Sequence, residues 1–173
     1  MTEAYETQAE RIRAELPEGG KVVFVSGYFN ILHPGHLRLI YYAADQGDRL
    51  VIGLIAKPKT QPSSTLPDSD RKIALQSISC VDDVVIMEHG LDPLLKALKP
   101  EVVVMGSEHR GKNAHEEALV TAYGGHVVYS SGASTGLAPN GETSGNGQEY
   151  RSNILKPVGY LDRHHVTLEQ LGR

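Results

Sequence analysis

The sequence predicts an α/β domain, a five-stranded parallel sheet with helices on both faces. Two observations lead there. Five short runs rich in β-branched residues, KVVFVS (21–26), RLVIGLI (49–55), DDVVIM (82–87), EVVVM (101–105) and GHVVYS (125–130), are apolar at nearly every position, as strands covered on both faces must be. Stretches of helical character separate them, at 36–46, 68–79, 91–98 and 113–123, and strand alternating with helix winds a parallel sheet through right-handed crossovers. The expected arrangement is Rossmann-like.

Ahead of the first strand, Tyr5, Ala9, Ile12 and Leu16 recur at helical spacing until Pro17 and Gly19-Gly20 end the pattern, which predicts an amphipathic helix within 1–20. The strands and their helices occupy 21–135. Beyond Ser130 large apolar residues almost vanish from SGASTGLAPNGETSGNGQ, and 136–148 reads as a glycine-rich loop. Residues 149–173 read as a tail or a connector to another domain: Thr167 and Gln170 have capping-box spacing, but too few apolar side chains follow to fold alone.

Composition narrows the function classes. The 173 residues, 40% hydrophobic, suit one core. No apolar run approaches the roughly 20 residues of a membrane span, and the N-terminus is charged throughout with no signal-peptide core, so a cytoplasmic location with no membrane partner is expected. Cys80 is the single cysteine, too few for an internal disulfide or a cysteine-based metal site. A net charge of −4 without a basic stripe excludes the counterion-release attraction of a nucleic-acid binder and favours a small-molecule partner.

The first strand runs into SGYFNILHPGHLRLIYYAADQGD, a loop with two histidines three apart at the mouth of a helix. Ligands of open α/β sheets bind beyond the carboxyl ends of the strands, where a helix N-terminus offers unpaired N–H groups to phosphate. Gly27 would allow close approach of the backbone, Pro34-Gly35 a tight turn, and His33 and His36 would donate hydrogen bonds to a phosphoryl group in transfer. From these residues alone two other readings stay open: a turn with two surface histidines, and a zinc site, although no carboxylate follows at HExxH spacing.

VSGYFNILHPGHLRLIYYAADQGDRLVIGL resembles the opening of the cytidylyltransferase-like family, a GxFDxxHxGH segment followed by a helix and a GD-x-L strand start. RKIALQSISCVDDVVI resembles that family's second block, and KPEVVVMGSEHRGK its third, in the VMG-x-x-x-x-GK form of glycerol-3-phosphate cytidylyltransferases. The resemblance implies transfer of CMP or AMP from a nucleoside triphosphate, carried with Mg²⁺, to a phosphorylated sugar or polyol with release of pyrophosphate. CTP with a polyol phosphate and ATP with a sugar phosphate, as in heptose-phosphate adenylyltransferases, both remain open. It further implies a homodimer and fusion or coupling to a sugar kinase.

Carried onto this chain, the resemblance makes His33, His36, Lys57 and Arg71 the catalytic set, with Lys59 a second loop lysine for phosphate. Ser26, Gly27, Tyr28, Phe29, Asn30 and Gly35 would bind the nucleotide, Met105, Gly106 and Ser107 would border base and ribose, and Ser134 and Thr135 keep the core of the fifth block. Read without the family, Arg71 is a solvated helix-start arginine, Lys57 and Lys59 are exposed loop lysines, and Met105–Ser107 is a strand exit. Three departures stand out. Asn30 replaces an aspartate; Tyr129 stands where the fifth block has arginine, so that cation is missing or comes from Arg110, Lys112 or a second subunit; and the loop AKPKTQPSSTLPDSD is short. Asn30 and Tyr129 motivate an alternative, a nucleotide-binding or regulatory module with little turnover. A class I aminoacyl-tRNA synthetase fragment shares HxGH, but this chain is short, acidic and without a KMSKS-like loop.

Overall fold

A computed structural model describes residues 3–58 and 65–130; Lys59, Ser134, Thr135, the glycine-rich loop and the 149–173 tail with its capping box lie outside the described residues. The elements follow the predicted alternation: α1 (Glu3–Ala14), β1 (Val22–Gly27), α2 (Pro34–Ala44), β2 (Arg49–Ile55), α3 (Asp68–Gln76), β3 (Asp83–Met87), α4 (Leu91–Leu98), β4 (Val102–Gly106), α5 (Ala114–Ala122) and β5 (His126–Ser130). All belong to one compact unit, Met1–Gly132. The five strands are parallel in the order β3-β2-β1-β4-β5.

Each strand feeds two cores because successive side chains alternate between faces. Val22 and Phe24 of β1, Val51 of β2 and Val103 and Met105 of β4 pack with Tyr5, Ala9 and Ile12 of α1, the leucines of α4 and Val120 of α5. Val23, Val25, Leu50, Ile52, Leu54, Val102 and Val104 pack on the other face with Ile40, Ala43 and Ala44 of α2 and Leu75 of α3. The N-terminal helix is therefore part of the main core and not an appendage. Ion pairs fasten it at the amino edge of the sheet, where Asp83 accepts from Arg11 and, at 2.8 Å, from Arg49, Glu15 also pairs with Arg49, and Arg13 reaches the Leu98 carbonyl and Glu101.

That clamp leaves the carboxyl edge to loops. The central strand β1 has β2 on one side and β4 on the other, so the chain reverses its winding between β1 and β4, the point where such sheets hold ligands. Strand ends differ from expectation by at most one residue. Helix α2 begins earlier than expected: Pro34 and Gly35 form its first turn and not a tight turn before it, because proline at the first helical position gives up an N–H that would be unpaired anyway. Helix α3 stops at Gln76, where the Ser77 hydroxyl turns back to donate to the Ile73 carbonyl.

Gly53 in β2 tests the packing of the first core. A Cβ there would overlap the Phe24 ring and sit 2.9 Å from the Met87 sulfur. Gly53→Ala is expected to destabilise the protein by about 1–3 kcal/mol through overpacking, read as a lower urea midpoint; unchanged stability would mean that the Phe24 ring is free to shift.

Candidate active site

The site grows from the turn between β1 and α2. Phe29 takes a left-handed backbone conformation, φ +44°, unusual for a bulky residue and retained only where packing holds it. Its ring is buried and fills the space a side chain at Gly27 would need, 2.8 Å from that position. Gly27 thus makes room for Phe29, where the sequence reading gave that room to a ligand. The edge-on contact of Phe29 with the His36 ring, 5.0 Å between centroids, then orients His36.

His33 caps α2. Its Nδ1 accepts from the Gly35 amide at 3.1 Å, and a side chain on Gly35 would collide with that imidazole. An Nδ1 that accepts leaves the proton of a neutral ring on Nε2, which is then a donor. The two imidazoles stack at 3.8 Å with 27° between planes. Burial first, then the neighbouring His33, pushes the His36 pKa below its ordinary value, opposed by the Ile31 backbone. Helix α2 has no acidic residue in its first turn, whereas α3, α4 and α5 each carry Asp or Glu there. Its positive end is therefore not neutralised by its own sequence.

Arg71 occupies an unexpected place. Its side chain has no solvent exposure, and its terminal nitrogens donate to the carbonyls of Tyr28 and, at 3.1 Å, Ile55, and at 2.6 Å to the Asp68 carboxylate. The guanidinium also lies 4.4 Å over the Tyr28 ring, a cation–π contact. Neither the solvated arginine nor an arginine open to phosphate describes it: it ties the exits of β1 and β2 to the start of α3. Asp68 was missed by the sequence reading, although its spacing three residues before Arg71 at a helix start was a visible signal.

Asp68 also receives the Lys57 amide at 3.0 Å, while the Lys57 ammonium donates to the Thr65 carbonyl at 2.9 Å. Asn30 accepts from the Leu66 amide at 2.9 Å. The β2–α3 loop is thus joined to the histidine loop at Leu66 and to the start of α3 at Lys57.

Ser26 is half-buried in β1, Gly106 ends β4 and Ser107 opens the short turn after it, with the Glu108 carboxylate filling the place a side chain on Gly106 would take. The Met105 side chain turns into the core with α1 and α4, its sulfur accepting from the Asn113 amide at 3.2 Å, which leaves only its backbone for the strand end. Tyr129 donates to Glu117, and the Arg110 guanidinium rests 5.0 Å over its ring. Among the described residues no group of three or more His, Cys, Asp or Glu could hold a metal ion, and no helix is long and apolar enough to cross a membrane.

The cytidylyltransferase-like family matches residues 24–124. Curated relatives include the Bifunctional protein HldE of Pelobacter propionicus, 33% identical over 122 residues that make up 67% of this chain and 25% of the relative, and that of Azorhizobium caulinodans, 37% identical over 118 residues, 64% of this chain and 24% of the relative. The chain thus spans about a quarter of the curated relatives it matches. Among solved structures, the lipopolysaccharide core biosynthesis protein of Thermoplasma volcanium aligns with a TM-score of 0.55 at 20% identity, over 64% of this chain and 94% of that one. The pantoate-beta-alanine ligase of Francisella tularensis aligns with a TM-score of 0.55 at 18% identity, over 72% of this chain and 64% of that one. At those identities the structures share the fold.

Two measurements check the geometry. In an NMR titration of the folded protein His36 is expected to titrate below the ordinary 6.5; because the unfolded chain then binds the proton more readily, stability falls as pH drops from 6.5 through the folded pKa. A His36 midpoint at or above 6.5 would contradict its burial. Arg71→Ala removes the buried guanidinium from the Tyr28 and Ile55 carbonyls and from Asp68, which keeps the Lys57 amide, and is expected to cost about 3–5 kcal/mol in chemical denaturation; a loss under about 1 kcal/mol, the range of an exposed pair, would contradict the burial of the guanidinium.

Proposed function

The chain belongs to the cytidylyltransferase-like family, and on that footing we propose that it transfers CMP or AMP from a nucleoside triphosphate to a phosphorylated sugar or polyol, with release of pyrophosphate. One observation carries the reading: two stacked imidazoles stand at the acid-free N-terminus of α2, beyond the carboxyl end of the central strand. The acceptor's phosphate oxygen would attack the α-phosphorus in line, forming one P–O bond as the bond to pyrophosphate breaks. The His33 Nε2–H and the His36 ring would donate to the phosphate oxygens on which charge develops, and the α2 amides would add their partial positive charge. Mg²⁺ would accompany the triphosphate and neutralise its charge.

The strand order supports a division of the substrates. We place the nucleotide over β1 and β4, with Gly106 and Ser107 toward base and ribose, and the acceptor over β2, where the Lys57 ammonium could exchange the Thr65 carbonyl for phosphate. Arg110, held over Tyr129 at the end of β5, is the cation we propose for the arginine that Tyr129 replaces. The sugar-phosphate version with ATP, coupled to a sugar kinase, is supported by relatives named bifunctional of which this chain matches only about a quarter. A homodimer is retained as part of the proposal. The nucleotide-binding module is the second reading, and it rests on Asn30 and Tyr129.

Pyrophosphate release with each of the four nucleoside triphosphates and a panel of sugar and polyol phosphates decides between the two. His33→Asn keeps a side-chain oxygen for the cap but no imidazole donor; it and His36→Ala are expected to cut turnover at least about a hundredfold with folding intact. Near-wild-type turnover in either variant would displace the proposed reaction centre, and nucleotide binding without pyrophosphate release for any acceptor would favour the module.

A further inference from the structure

Among the described residues, two ties of different kinds join the histidine loop to the end of β2 and to the loop that follows it. Arg71 makes the inner one, wholly enclosed, between the carbonyls of Tyr28 and Ile55. The outer one is a single neutral hydrogen bond, from the Leu66 amide to the Asn30 Oδ1 at 2.9 Å. Asn30 follows the strained Phe29 and precedes His33 by three residues. Leu66 is exposed and adjoins Thr65, whose carbonyl holds the Lys57 ammonium. The outer tie therefore sets the distance between the imidazoles and the end of the loop on which Lys57 is parked.

We propose that Asn30 is a positioning residue that latches the β2–α3 loop to the histidine loop through the Leu66 amide and thereby sets the affinity for the acceptor phosphate. The inference rests on the proposed transferase reading and adds to it a role for the position at which this chain lacks a carboxylate. Accepting an amide hydrogen requires an oxygen and no charge, so asparagine and aspartate both serve while alanine does not. Because β2 and β4 lie on opposite sides of β1, loosening the loop over β2 leaves the nucleotide side of the site in place. The latch acts on acceptor binding and not on the chemical step, whose donors are held by the Gly35 amide and the Phe29 ring.

Wild type, Asn30→Ala and Asn30→Asp should be compared in two ways on the full chain. Amide hydrogen exchange followed by NMR is expected to show Leu66 exchanging about tenfold faster in Asn30→Ala and near the wild-type rate in Asn30→Asp, since the loss of one hydrogen bond opens the loop locally. Steady-state pyrophosphate release is expected to show an acceptor KM raised about tenfold in Asn30→Ala, as one neutral hydrogen bond accounts for, a larger factor than any change in kcat or in the nucleotide KM, with recovery in Asn30→Asp. Unchanged Leu66 exchange in Asn30→Ala overturns the latch. A fall confined to kcat, or KM values rising together for both substrates, overturns the link to the acceptor. If wild type transfers to no acceptor, the transferase reading fails while the exchange measurement still decides whether the latch exists.

Discussion

The geometry of this site depends on one buried guanidinium. A charge withdrawn from water needs hydrogen-bond partners, and the terminal nitrogens of Arg71 find theirs in the Tyr28 and Ile55 carbonyls and the Asp68 carboxylate, with the Tyr28 ring against the guanidinium face, while its buried Nε has no partner among the described residues. Those groups sit at three different places in the chain, so meeting the needs of one side chain brings the ends of β1 and β2 and the start of α3 together. From there the order propagates. With Tyr28 held, Phe29 turns through its left-handed conformation onto Gly27 and supports His36, and His33 closes the start of α2.

Charge is distributed unevenly between the two edges of the sheet. At the amino edge, arginines of α1 and β2 are spent on Asp83, Glu15 and Glu101, and they fasten α1 against the core. At the carboxyl edge α2 keeps an unopposed positive end, and the groups beside it are imidazoles, one of which burial keeps from protonating easily. Hydrogen-bond donors without a fixed charge favour a polyanion through direction more than through attraction. This suits a chain whose net charge is −4, in which the proposed binding of a phosphate group would depend on local geometry.

The departures from the family pattern look different once their neighbours are seen. Asn30 is engaged as an acceptor of a backbone amide, a task for which charge is unnecessary. Tyr129 places a ring beneath the Arg110 guanidinium and anchors its own hydroxyl on Glu117, so a cation stands at the end of β5 even though the strand residue is neutral. Both replacements are thus accommodated by the groups around them.

Much of this was legible in the sequence, for a physical reason. Strand runs apolar at every position and helices between them are local, periodic signals, and they located each strand to within one residue. The HPGH segment at the head of a helix, like the three family blocks, is likewise a contiguous pattern. What the sequence could not disclose were matters settled between distant positions. Arg71 read as a helix-start residue open to solvent or phosphate, yet its carbonyl partners lie 16 and 43 residues away, and only the convergence of strand ends encloses it. Gly27 and Gly35 read as freedom for a turn or a ligand, but the rings of Phe29 and His33 fill their missing side chains. Met105 read as a wall of the nucleotide site, and the pleat of β4 sends its side chain into the opposite core. Periodicity determined the elements, whereas the partners of each polar or bulky group were decided by which loops the folded sheet brings to the same edge.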